Sequence, residues 1–147
     1  MTKKDLSRIY YLEKEIAMWE RELEELDCMS LVSGGIGDGQ PRGQKVPRSK
    51  VEDNVIKRMG IQAKMKELLE ECEKSKAEIM DWIKSIDDSF IRQIIYYRCI
   101  KVMSWVAVAD KIGGGNTADS VRKAYDRFTA SYFPENPSVL SVRTVLL

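Results

Sequence analysis

Arg122, Lys123 and Arg127 stand close together near the end of a sequence that offers little else to do chemistry with. Their cationic donors suit anionic oxygens, above all phosphates, and an arginine or lysine can also donate to guanine O6 and N7 at a base edge. Spacings of 1 and 4 keep them off one narrow helical stripe, yet all three fit the broad face left free by Val121, Ala124, Tyr125 and Phe128. The chain has no histidine, which removes the commonest general base and the commonest metal ligand. Cys28, Cys72 and Cys99 are too widely spaced for a zinc cluster and odd in number for a full set of disulfides within one chain. Gly113-Gly114-Gly115 lacks the preceding strand and the GxxxxGK[ST] pattern of a phosphate-binding loop, so it reads as a turn. The adjacent Asp87 and Asp88 read as a helix cap rather than a catalytic or metal pair. No catalytic residue, metal site or cofactor is expected, and an enzyme is the least supported class.

A helix must present the three cations, and the residues around it mark its ends. Asp87 or Asp88 caps a helix through Ile91, Ile94, Ile95, Tyr97 and Ile100 that ends near Val102, and Ser104 caps a short one from Trp105 to Ile112. After the glycines, Asn116 or Thr117 opens a further helix over residues 117–132, with Asp119 in its first turn, where negative charge suits the helix N-terminus. A short helix, a glycine turn and an amphipathic helix make a helix-turn-helix unit. Ala109, four residues before Gly113, supplies the small side chain that close helix approach requires, and Val108, Ile112 and Val121 supply the core. The last helix then suits the major groove of duplex DNA.

The remainder of the chain must carry this unit. Ile9, Leu12, Ile16, Trp19, Leu23 and Leu26 follow at spacings of 3, 4, 3, 4 and 3, a heptad seam that predicts a helix over residues 4–28. Ser49-Lys-Val-Glu52 reads as a capping box for a second helix to about residue 84, with Val55, Met59, Met65, Leu69, Cys72, Ile79, Ile83 and Ile86 as its stripe. Between them, residues 29–48 are rich in glycine and proline and read as a mobile loop. Neither stripe can be hidden alone, so the two helices pair as an antiparallel hairpin, with pairing between chains of a homo-oligomer as the alternative. The expected fold is all-α: a helical hairpin over 1–84, a helix-turn-helix domain over 85–133, and a tail over 134–147. That tail is apolar after Pro134 and Pro137 and is left open as packed, partner-bound or disordered.

At 147 residues there is room for one ordinary domain or a small one with a long helical appendage, and a net charge of +1 names no polyionic partner. Charge by region says more. Residues 3–27 and 51–83 carry −3 and −2, whereas residues 84–133 and 28–50 each carry +3. Tryptophans 19, 82 and 105 fall on apolar stripes, where they serve packing. No stretch approaches the ~20 apolar residues of a membrane span, and the cysteine usage fits a reducing, cytoplasmic setting.

Ile91-Arg-Gln-Ile-Ile-Tyr-Tyr-Arg-Cys-Ile100 followed by Ser104-Trp-Val-Ala-Val-Ala-Asp-Lys-Ile-Gly113 resembles region four of bacterial sigma factors. There a helix ending in an LRY-type sequence precedes S-[YW]-x-x-[IV]-A-x-x-[LI]-G. With the hairpin and its glycine-rich loop in front, the chain is similar to the small sigma-like late-gene transcription regulators of phages and prophages, of the ArpU/RinA type. The motif-bearing likeness covers about residues 85–130, and the hairpin matches in architecture only. The resemblance implies a sequence-specific DNA-binding regulator of phage genes, with double-stranded DNA and RNA polymerase as partners. It assigns Trp105, Val108, Ala109 and Gly113 to the scaffold. It extends base or phosphate contact to Asn116, Thr117 and Ser120 beside Arg122, Lys123 and Arg127, and phosphate contact to Lys111. One departure is that Val121 follows Gly113 by eight positions rather than the usual six, so the turn is longer. A phage small terminase subunit recognising packaging DNA and a helical interaction protein that does not bind DNA are the alternative readings.

Overall fold

The computed structural model describes the backbone of residues 1–35 and 48–134 and the side chains of residues 1–29 and 51–134. It is all-α: α1 (Lys3–Gly35), α2 (Arg48–Lys84), α3 (Ser89–Ile95) continued by a π-helical turn (Tyr96–Ile100), α4 (Trp105–Ile112) and α5 (Ala118–Tyr132). Among the described residues no helix is long and apolar enough to cross a membrane. The part of the expected loop at 36–47, the tail beyond Pro134 and the Ser49 side chain of the expected capping box lie outside the described residues.

The chain divides into two compact units, one of residues 1–10 with everything from Lys74 onward, the other of Tyr11–Glu73. In the second unit α1 and α2 run antiparallel within one chain. Leu12, Ile16, Leu68 and Cys72 are buried between them, and an Asp27–Arg58 ion pair ties the ends nearest the connection. Two expectations are corrected here. The first helix does not stop at residue 28 but runs on to Gly35, since each glycine in a helix costs only about 1 kcal/mol, too little to end a helix by itself. The stripe of α2 passes through Leu68, 3% exposed, not Leu69, 51% exposed, and Val55 and Met59 lie on the outer surface. Met65 and Cys72 are compatible with either leucine, so the register rests on Ser75, a buried polar residue that apolar spacing does not reveal. Leu68→Ala should therefore lower the unfolding free energy by about 2–4 kcal/mol and Leu69→Ala by under ~1 kcal/mol, measured by urea denaturation.

The first unit gathers Leu6 and Ile9 of α1, Ile79 and Ile83 of α2, Ile86 beyond its end, and the inner faces of α3, α4 and α5. Ile94, Ile95, Val108, Val121 and Thr129 have no exposed surface. The Thr129 hydroxyl satisfies itself on the Tyr125 and Asp126 carbonyls at 3.0 and 3.1 Å. Trp82, near the end of α2, packs against Phe128, Tyr132 and Phe133 and donates its indole N–H to the Tyr132 hydroxyl at 3.2 Å, which holds the C-terminal half of α5. Of the two candidate caps for α3, Asp88 accepts from the Phe90 amide at 2.9 Å.

The helix expected to continue to Val102 instead ends in the π turn, where the Lys101 amide reaches back to the Tyr96 carbonyl and Val102 takes φ +54°. One extra residue in the turn lets the adjacent Cys99 and Ile100 both face the core. Burial pushes the Cys99 thiol up to about 11, against its contact with the Tyr125 hydroxyl at 3.9 Å. Arg98 donates to the Met103 carbonyl at 2.8 Å and lies 4.3 Å above the Trp105 ring, whose other neighbour is Tyr125 at 5.3 Å. These contacts fix the entry to α4.

Candidate nucleic-acid interface

Local chemistry sets the helix-turn-helix. Ser104 Oγ accepts from the Ala107 amide at 3.3 Å and starts α4 at Trp105. At its other end the Gly113 amide closes on the Ala109 carbonyl at 2.9 Å, and Ala109 is 4% exposed, so a larger side chain there has nowhere to go. Gly113 takes φ +69°, ψ −149°, a combination essentially closed to residues with a Cβ, and Gly114 and Gly115 also have positive φ. An added Cβ at Gly113 would meet nothing within 4 Å, so the obstacle is the backbone conformation itself. Gly113→Ala should cost about 1–3 kcal/mol in denaturant unfolding although it touches no neighbour.

Asn116 donates its side-chain amide to the Gly113 carbonyl at 2.8 Å and so locks the lengthened turn. Thr117 and Ser120 then form a reciprocal capping box: Thr117 Oγ1 accepts from the Ser120 amide at 3.1 Å, and Ser120 Oγ accepts from the Thr117 amide at 2.9 Å. These three side chains, which the resemblance links to base or phosphate contact, thus stand at the N-terminus of α5 with their polar groups engaged in turn and cap. Lys111 is exposed at the end of α4.

Val121 and Thr129 bury one side of α5, and Arg122, Lys123 and Arg127 stand on the exposed surface with Asp119 and Asp126. Asp119 is the residue that sequence reasoning underused. Its two carboxylate oxygens are divided between Arg122 at 2.9 Å and Lys123 at 3.0 Å, all three side chains being more than half exposed. The Lys123 ammonium, by hydrogen bond and charge, and then the Arg122 guanidinium hold this carboxyl below its usual range. The spacings of three and four residues were the signal for both pairs.

Cations elsewhere in the region are less available than its charge of +3 suggests. Arg92 donates to the Ile86 carbonyl at 2.9 Å, Arg98 is engaged with Met103 and Trp105, Lys101 lies 5.7 Å over the Tyr96 ring, and Lys84 stands 3.6 Å from Asp81. Lys111 and Arg127, with Arg122 and Lys123 beside Asp119, are the exposed cations of α4 and α5. Among the described residues, no group of three or more histidine, cysteine, aspartate or glutamate side chains is placed to hold a metal ion. No protein-family model matches the chain, and no curated protein or solved structure matches it either.

Proposed function

We propose that this protein is a sequence-specific DNA-binding transcription regulator of phage or prophage genes, with α5 as the recognition helix in the major groove. One observation carries the reading: a glycine-turned helix pair, braced by α3, leaves the whole outer face of α5 open with Arg122, Lys123 and Arg127 on it. A helix of that kind fits the width of the groove, and its flanking cations reach phosphates on both walls. Asn116, Thr117 and Ser120 hold the turn and cap that start α5, and by the same likeness would meet the duplex at that end of the helix. Lys111 adds a further phosphate contact from α4. The likeness to sigma region four adds RNA polymerase as a second partner and a cytoplasmic site of action. Self-association would draw on outward apolar residues such as Val51, Val55, Ile56 and Met59, all of them exposed.

The test is fluorescence anisotropy on random and promoter-derived duplexes across a salt series. On this reading the logarithm of affinity falls linearly with the logarithm of salt, with a slope of about −0.9 per phosphate neutralised. No complex at low salt would favour the reading as a helical interaction protein, in which Asp119 has silenced the cations of α5.

A further inference from the structure

The antiparallel pair of α1 and α2 encloses its seam at one end and leaves it open at the other. Leu12, Ile16, Leu68 and Cys72 are buried, whereas Trp19, Leu23, Leu26, Ile61 and Met65, nearer the connection, are only half-buried. A groove of about 660 Å³ lies between the helices there, lined by Trp19, Leu26 and Ile61. Its α1 wall adds Glu22 and Met29, and its α2 wall adds Lys57, Gly60 and Lys64. Met29 is 63% exposed, and Ile56, one helical turn before Gly60, is 66% exposed. A glycine inside a helix weakens it, and an added Cβ at Gly60 would meet nothing within 4 Å, so packing within the chain does not call for this glycine. We infer that a second copy of this chain covers the groove, in a two-fold dimer that lays α1 of each protomer along α2 of its partner.

Groove on groove is a self-complementary contact that closes at two chains, whereas covering the groove with a different face of another copy would propagate. Charge then chooses between the two possible directions of the axis. With the axis across the helices, α1 lies on α1 and α2 on α2, so that glutamate meets glutamate and lysine meets lysine. With the axis along the helices, the acidic wall of each copy meets the basic wall of the other.

The register follows from the Asp27–Arg58 pair. Antiparallel helices that are level at residues 27 and 58 are also level near 22 and 63 and near 29 and 56. An axis along the helices keeps those levels. Glu22 then comes beside the partner's Lys64, Met29 covers the partner's Ile56, and Glu25 and Leu26 come over the partner's Gly60, where the missing side chain permits close approach. Lys64 stands 3.7 Å from Glu67 of its own helix, an exposed pair that holds it only weakly. Both chains leave this dimer at the same end, toward Glu73, as two half-sites on one duplex would require.

Light scattering and sedimentation of the full chain over a wide concentration range test this. Wild type should pass from the one-chain to the two-chain mass as concentration rises. Glu22→Lys and Lys64→Glu should each weaken association by about tenfold or more, and the double variant should return to within about threefold of wild type, because the reversed pair is again complementary. Gly60→Gln supplies the folding control. When dilute and single-chain it should unfold at a higher urea concentration than wild type, since glutamine is the better helix former, yet it should associate at least about tenfold more weakly because its side chain occupies the groove. A one-chain mass at every concentration would overturn the inference. So would a wild-type dimer that Glu22→Lys and Gly60→Gln leave intact, which would move the contact to another face such as that of Val51 and Val55, and so would a double variant weaker than either single one. Each outcome leaves DNA binding by α5 to its own test.

Discussion

Replacing Ile94 by alanine should lower the unfolding free energy by about 2–5 kcal/mol, among the largest stability effects expected of a single side-chain truncation at the described residues. Ile94 has no exposed surface, and it belongs to α3, which packs on α4, on α5 and on the π turn. Its neighbour Ile95 and the inward residues Val108 and Val121 are equally enclosed, so the space left by the lost atoms cannot collapse without moving a helix. The cost is then the lost transfer free energy plus most of the cavity term. Urea denaturation should show a lower midpoint with an unchanged slope, since the surface exposed on unfolding hardly differs. Val106→Ala, in α4 at a residue 64% exposed, should shift stability by no more than about 0.5 kcal/mol. If Ile94→Ala cost as little as Val106→Ala, the helix-turn-helix would lack the packed support that aims α5.

Removing Arg122, Lys123 and Arg127 together by alanine substitution should weaken duplex binding by about 10²- to 10³-fold at ~0.1 M salt while leaving stability nearly unchanged. Each phosphate contact contributes about 0.9 to the salt slope, which is close to tenfold in affinity at that salt, so three cations account for the range and for a slope shallower by about 2–3. Stability is spared because the side chains are exposed and the pairs to Asp119 are surface ion pairs, worth ~0–1 kcal/mol. The three positions should also separate. Loss of Arg127 should reduce affinity by a similar factor on every sequence, as a phosphate contact does, and loss of a cation that also reads guanine should reduce it more on the selected site than on random duplex. Anisotropy on both duplexes, with circular dichroism as the control, makes the comparison.

The parts of this fold set by short-range chemistry were readable from the residues. Ser104 placed the start of α4 and the glycine at 113 its end, and both stand where spacing put them. Thr117 opened α5, and its expected end near Tyr132 matches. Caps and positive-φ glycines act on the next few residues and need no tertiary context, which is why they can be read locally. Choices decided by packing were not readable in the same way. Leu68 and Leu69 fit the apolar spacing equally, and only the buried Ser75 distinguishes them. The π turn at Tyr96–Ile100 inserts one residue without any compositional mark. For the candidate site, the exposed cations of α5 were visible from Val121, Ala124, Tyr125 and Phe128 on the opposite side. The inward use of Arg92, Arg98 and Lys101 was not, because it depends on which carbonyls and rings the fold brings beneath them. The pairing of Asp119 with Arg122 and Lys123 is legible in the spacings of three and four residues, alongside its favourable place near the helix N-terminus.

The most direct test of α5 as the DNA-contacting element is an isotope-edited amide titration of the full chain with a short duplex. Chemical-shift changes should concentrate from Asn116 to Arg127, with smaller ones near Lys111 and little change along the α1–α2 pair, all diminishing as salt is raised. Changes confined to α1 and α2, or none at all in a spectrum that is otherwise well dispersed, would contradict that role for α5.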